Sequence, residues 1–233
     1  MLGVLGGMGP LATVDFMQKI IALTEASKDQ EHLPMLVHNV PQIPDRSACI
    51  LQGSEDPFPA LLRGLRSLER GGAECVVIPC NTAHYWFEKL QKHAQIPMIS
   101  ILECVQSHIR KHQFKKVGVM ATSATVSAVM YQQLIEDDGR ACLTPDQEMQ
   151  TLMMDAIYDI KAGRLEQGSQ RMKVVFDDLI AQGAEAVILG CTEIPIGLAD
   201  VVKTSPEQCI DATALLASAC VEWYSCQEAR EAA

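Results

Sequence analysis

Residues 72–80, Gly-Ala-Glu-Cys-Val-Val-Ile-Pro-Cys, recur as residues 183–191, Gly-Ala-Glu-Ala-Val-Ile-Leu-Gly-Cys. Glycine, the Ala-Glu after it, an apolar run and a terminal cysteine all stay in register, 111 positions apart. A weaker echo ties Gly3-Val-Leu to Gly118-Val-Met, 115 positions apart. Nearly equal offsets are the mark of a duplicated unit. The 233 residues therefore divide into two similar halves of about 100 residues, an ordinary size for a self-sufficient domain. The junction is expected near Ile101 to Gln113.

Each half alternates short apolar runs with helical periodicity. Leu2–Leu5, Met35–Asn39, Cys75–Pro79, Met98–Ile101, Lys116–Ala121 and Ala186–Gly190 predict strands. The first run breaks at Gly6-Gly7, and Pro10 then opens LATVDFMQKIIALTEA, whose apolar spacing predicts a helix with proline in its first turn. Continuously apolar strands joined by helices predict parallel sheets covered on both faces. The expected fold is α/β: two similar doubly wound parallel-sheet domains related by pseudo-two-fold symmetry, with a site in the cleft between them. Residues 1–100 with 208–233 are assigned to the first domain, closed by the C-terminal helix, and 101–207 to the second.

Composition removes several functions. A formal net charge of −10 without a run of Lys or Arg disfavours a nucleic-acid partner. No stretch approaches the roughly 20 consecutive apolar residues of a membrane span, so no membrane association is expected. The N-terminus MLGVLGGMGP lacks the basic n-region of a secretory signal, which predicts a cytoplasmic location. Nine cysteines, an odd number without a C-x-x-C pair, read as reduced thiols.

Two of those cysteines stand apart. Cys80 and Cys191 each follow the last apolar residues of a predicted parallel strand, where ligand crevices form, and each precedes a polar turn, Asn81-Thr82 or Thr192-Glu193. A helix starting just after a thiol lowers its pKa toward the reactive thiolate. Most of the other seven read as small buried hydrophobes. Two facing thiols can take a proton from one face of a carbon and return one to the other. Inversion of a stereocentre needs such a matched pair, because a racemase serves both enantiomers. The loop at 40–47, VPQIPDRS, follows a strand and lies where ligands bind; Arg46 is either a ligand there or a solvated charge. A rival reading is a nucleotide site: Gly7-Met-Gly9-Pro-Leu-Ala12 fits G-x-G-x-x-A, with Asp29 and Glu31 about 20 residues on. Those acids precede the next strand instead of following it, and a dinucleotide leaves the cysteine repeat unexplained.

Taken together, GVLGGMGPLAT at 3–13, DQEH at 29–32, PQIPDR at 41–46, PCNTAH at 79–84, KKVGVMAT at 115–122, AIYDIKAG at 156–163 and GCTE at 190–193 span nearly the whole chain. In this order they resemble the aspartate/glutamate racemases that work without pyridoxal phosphate, in particular the aspartate racemase branch. The resemblance implies no cofactor and no metal, and makes Cys80 and Cys191 the paired acid/base thiols, Cys191 acting on the L-enantiomer and Cys80 on the D-enantiomer. It makes Asn81, Thr82 and Ala83 one turn for the substrate α-carboxylate and Thr122, Ser123 and Thr125 its counterpart, with Thr192 beside the second thiol. Arg46 and Lys161 would hold the side-chain carboxylate, supplying local positive charge to a chain of net charge −10. Ala124 stands where related enzymes often have glycine, and Asp159 where many have Glu. His84 is either a proton relay or a structural residue, Glu193 is a candidate to orient Cys191, and Met8 to line the pocket. The implied ligand is a small acidic amino acid, aspartate or, one methylene longer, glutamate, and the implied assembly a homodimer. Two alternatives stay open: a sister isomerase acting on maleate, with one cysteine as nucleophile, and a non-catalytic two-lobed amino-acid binder.

Overall fold

The computed structural model describes residues 1–231. Its first half comprises β1 (Leu2–Gly6), α1 (Pro10–Leu23), β2 (Met35–Asn39), α2 (Arg46–Gln52), α3 (Phe58–Arg70), β3 (Cys75–Val77), α4 (Phe87–Gln91) and β4 (Met98–Ile99). Helix α5 (Ile101–His112) leads into β5 (Lys116–Ala121), α6 (Ser123–Ser127), α7 (Met130–Asp137), β6 (Ala141–Leu143), α8 (Gln147–Lys161), α9 (Leu165–Ala181), β7 (Ala186–Gly190), α10 (Ile194–Gly197), α11 (Ala199–Thr204), β8 (Cys209–Asp211) and α12 (Ala212–Glu231). The strands form two four-stranded sheets, ordered β2-β1-β3-β4 and β6-β5-β7-β8. Every pairing is parallel. The sequence repeat is thus a repeat of topology, with β3 and β7 in equivalent places.

Strand side chains alternate between two layers, as the period of a strand requires. Leu2, Val4, Cys75 and Val77 of the first sheet and Val117, Val119, Ala186 and Ile188 of the second enter one central layer with residues of α1, α5, α7 and α12. Their neighbours face outward: Leu5, Val76 and Ile78 meet α3, whereas Met120, Val187 and Leu189 meet α8 and α9. The two sheets therefore share a core.

Local signals set most boundaries. Helix α5 starts early, ending β4 at Ile99, because the Ser100 hydroxyl accepts the Glu103 N–H at 3.4 Å. Strand β3 leaves its ladder at Val77, and the Cys80 N–H turns back to the Ile78 carbonyl at 2.8 Å. Arg46 opens α2 rather than extending a loop, since Asp45 accepts the Ala48 N–H at 2.7 Å. One part of the domain division needs correction. Residues 209–211 form β8, which pairs with β7 at the edge of the second sheet, although they were grouped with residues 1–100. Helix α12 does pack on α1, and on α5 as well; Ala232 and Ala233 of that grouping lie outside the described residues. Among the described residues, no helix is long and apolar enough to cross a membrane.

The turn after β1 explains its glycines without a nucleotide. Gly7 has φ +97°, a region that costs a side chain strain. A Cβ there would lie 2.4 Å from the backbone of Val40. Its N–H donates to Thr13 Oγ1 at 2.9 Å, and that hydroxyl donates to the Gly9 carbonyl at 3.0 Å, so the turn spends its donor on α1. Gly7→Ala should cost about 2 kcal/mol or more of stability in urea unfolding; a change under about 0.5 kcal/mol would contradict this account of the turn.

Candidate active site

Cys80 and Cys191 end the equivalent runs of the two halves and are nearly buried, 5% and 6% exposed. Each gives way at once to a tight turn, the 3-10 helix Thr82–Trp86 or α10. The turns from the two halves meet. The hydroxyls of Thr82, Thr122 and Thr125 are hydrogen-bonded to one another at 3.0, 3.1 and 3.0 Å, forming a closed triangle across the halves. Beside it, Tyr131 donates its hydroxyl to Asn81 Oδ1. The Asn81 side chain is buried, and its Nδ2 has no partner among the described residues.

The second thiol has a carboxylate neighbour. Cys191 Sγ donates to Glu193 Oε2 at 2.9 Å, and Thr192 Oγ1 donates to the same oxygen at 3.3 Å. Glu193 Oε1 lies 4.0 Å from Lys161 Nζ. Burial pushes the Cys191 pKa well above the ordinary thiol value, the Glu193 charge adds to the rise, and Lys161 opposes it. This corrects the expectation of a thiol lowered by a following helix: α10 has only four residues, too few to offset desolvation and an adjacent carboxylate. Burial works against the Lys161 ammonium, but Glu193, Cys191 and Cys80 together outweigh it, so its pKa is raised despite Arg46. Both thiols, Glu193 and Arg46 thus lie within electrostatic reach of one ammonium.

Arg46 and Lys161 face one cavity of about 560 Å³, lined also by Gly7, Gly9, Ile160 and Glu193, a size suited to a small molecule. The solvated reading of Arg46 is excluded: its side chain is buried at the start of α2. Nη1 donates to the carbonyls of Ile43 at 3.1 Å and Pro44 at 3.0 Å, and Nε has no partner among the described residues. Lys161 is the last residue of α8. Asp159 fixes that helix end by pairing with Arg164 at 2.8 Å and with Arg171 of α9.

Residues 5–220 match the Asp/Glu/Hydantoin racemase family. The chain belongs to that family. It is 30% identical to a Picrophilus torridus aspartate racemase of known structure, with TM-score 0.88 over 96% of this chain and 94% of that one. It is also 30% identical, over 230 residues, to the broad specificity amino-acid racemase RacX of Bacillus subtilis (strain 168), covering 96% of this chain and 98% of RacX. A glutamate racemase from Francisella tularensis, solved with D-glutamate, shares the fold at 18% identity and TM-score 0.70, over 99% of this chain and 81% of that one.

The remaining candidates of this racemase divide clearly. Ala83, Thr122, Thr125 and Thr192 are buried at the turns named above. Ser123 faces α8: its hydroxyl accepts from Gln150 Nε2 at 3.2 Å, and its N–H points at Met154 Sδ at 3.2 Å. Met8 is packed in the core under α3. Of the other seven cysteines, Cys75 and Cys220 are buried; Cys49, Cys104, Cys142 and Cys209 are only partly so, and Cys226 is exposed. Sequence reasoning did not single out Tyr131, whereas Glu193, its candidate to orient Cys191, is the acceptor of that thiol.

His84 is structural. Its Nε2 accepts the Ile101 N–H at 3.0 Å, which leaves the proton on Nδ1 to donate to the Cys80 carbonyl at 2.9 Å. The ring thus ties the end of the β3 run to the start of α5. Burial pushes its pKa from 6.5 down to about 4, so the folded protein holds it neutral while the unfolded chain binds a proton. Stability should therefore fall as pH drops from about 6.5 toward 4, with His84 contributing roughly 3 kcal/mol of that loss. Imidazole NMR checks this directly: a neutral Nδ1–H tautomer at pH 5.5 is expected, and a protonated ring at that pH would contradict it.

Proposed function

We propose that this chain interconverts L- and D-aspartate without a cofactor, using Cys80 and Cys191 as two proton-transferring thiols. The observation that carries the reading is a cavity lined by Arg46, Lys161 and Glu193, in which one Glu193 oxygen accepts from the Cys191 thiol at 2.9 Å and the other lies 4.0 Å from Lys161 Nζ. Arg46 and Lys161 suit a side-chain carboxylate by charge, and the unpaired Arg46 Nε leaves a donor for it. The 30% identity to an aspartate racemase over most of both chains supports the same substrate.

One thiolate takes the α-proton from one face while the opposite thiol delivers its own to the other. In the free protein Cys191 carries the proton, because burial and Glu193 disfavour its thiolate; Cys80 is then the base. For the reverse direction Cys80 enters as the thiol, protonated from solvent, and Cys191 as the thiolate, its proton passing to Glu193 Oε2, already its acceptor at 2.9 Å, with Lys161 as the counter-ion. As the α-proton leaves, negative charge spreads into the α-carboxylate. Fixed donors must meet it there. Asn81 Nδ2 is unpaired, and the N–H groups of Thr82 and Ala83 open a 3-10 helix, where they lack intrahelical partners. The threonine hydroxyls are less free. Three hydroxyl protons serve three mutual bonds, so any one of them reaches a substrate only by leaving the triangle. Their role here is to clamp the halves.

Cys80→Ala and Cys191→Ala should each lower aspartate racemisation by about 10³-fold or more, in line with loss of a positioned acid or base, read by chiral chromatography. More than a tenth of the activity left in either variant would sink the two-thiol scheme. Arg46→Ala should raise KM for aspartate about 10- to 100-fold, the worth of a charge-assisted contact; an unchanged KM would remove Arg46 from the pocket. Turnover of maleate or glutamate in place of aspartate, or binding without turnover, would favour the sister isomerase, the longer substrate or the binder respectively.

A further inference from the structure

We infer that Tyr131 is a positioning residue that sets the Asn81 side-chain amide with its NH2 group toward the reacting carboxylate, an inference that rests on the function proposed above. Tyr131 lies in the first turn of α7, in the second half, and is fully buried. Its hydroxyl crosses to the first half and donates to Asn81 Oδ1. Its ring is seated on the other thiol's strand: a Cβ on Gly190, the residue before Cys191, would lie 2.9 Å from Tyr131 Cε2. One side chain therefore touches the residue after the first thiol and the residue before the second.

The amide orientation follows from counting donors and acceptors. As observed, the phenol proton and Asn81 Oδ1 satisfy each other, and only Nδ2 is left without a partner in a buried place. A flipped amide would direct Nδ2 to the phenol oxygen. The phenol proton would then lose the only acceptor it has among the described residues, and Oδ1, an acceptor, would face the substrate carboxylate. Buried polar groups are almost always paired, so a persistent unpaired NH2 marks a place that a ligand completes. Burial holds the phenol in its protonated, donating form, since it pushes the Tyr131 pKa well above its ordinary value. The neighbouring threonine hydroxyls spend their protons on one another. Asn81 Nδ2 is thus the side-chain donor free at this turn, and Tyr131 fixes where it points.

Because a correctly aimed donor matters most as charge develops, its loss should appear in kcat more than in KM. Tyr131→Phe, which removes one oxygen, is expected to lower kcat about tenfold and to change KM less than about threefold. In an Asn81→Ala background the same change should cost nothing further. Equal losses in both backgrounds, or no loss in the unsubstituted protein, would overturn the proposal, because a merely structural tyrosine acts independently of Asn81. A readout without turnover separates this claim from the substrate reading. The Asn81 side-chain amide resonances, identified by their absence in Asn81→Ala, should shift in Tyr131→Phe and on adding L-aspartate to the unsubstituted protein. Resonances unmoved by Tyr131→Phe would overturn the positioning role. A shift with Tyr131→Phe but no response to aspartate, and no turnover of it, would keep that role and reject aspartate as the substrate.

Discussion

Leu2, Val4 and Val77 from one sheet and Val117, Val119 and Ile188 from the other bury into a single apolar layer, together with Phe16, Ile101, Val105 and Leu216. Each such side chain contributes on the order of 1.5–3 kcal/mol when removed from water. Helices from both halves contribute to the same layer. This common layer holds the two halves at fixed distance and orientation. The strand ends that carry Cys80 and Cys191 therefore have no freedom to drift apart. The polar contacts at the seam, the threonine triangle and the Tyr131–Asn81 bond, then adjust what the apolar layer has already brought together.

For a chain of net charge −10 to receive the proposed dicarboxylate, opposite charges must be concentrated at short range. Arg46 and Lys161 face the cavity, Glu193 tempers Lys161 at 4.0 Å, and the Asp159 pairs hold the end of α8 in place. Glu193 links the cationic end of the cavity to the thiol proposed as acid and base, since its other oxygen accepts from Cys191. The same burial that raises the Cys191 pKa strengthens the electrostatic help available to a developing carbanion. Burial makes the Cys191 thiolate a strong base and holds its proton firmly when it is the thiol, while Lys161 limits the cost of the charged form. A racemase needs both states of one group.

Much of this was legible in the sequence because it follows from periodicity and repetition. Strands Met35–Asn39, Lys116–Ala121 and Ala186–Gly190 have the bounds their apolar runs predicted. The paired cysteines stood out because they were repeated in register. Strands β6 and β8 were not legible: each is a three-residue edge strand, too short for alternation to register, and Ala141 is exposed. The grouping of residues 209–211 failed for the same reason, since a chain crossing from one layer to another leaves no mark in composition. The threonines of the polar turns looked like free anion donors, and only tertiary geometry shows that they bond one another. The helix dipole expected to lower the second thiol was outweighed by burial and Glu193, terms that depend on neighbours rather than on spacing. Tyr131, between Met130 and Gln132, belongs to no motif and gave no signal of its own until its hydroxyl was found on Asn81.

The central claim is that two different thiols serve the two faces of one carbon. Proton NMR of the unsubstituted protein with L-aspartate in D₂O, followed from the first few per cent of conversion with chiral separation of the pool, tests it most directly. The account predicts that D-aspartate forms with deuterium at Cα from the outset, delivered by the solvent-equilibrated opposite thiol, while the unreacted L-aspartate keeps its proton. Equal early labelling of both enantiomers, or D-aspartate that retains the original proton, would mean that a single group works on both faces and would contradict the account.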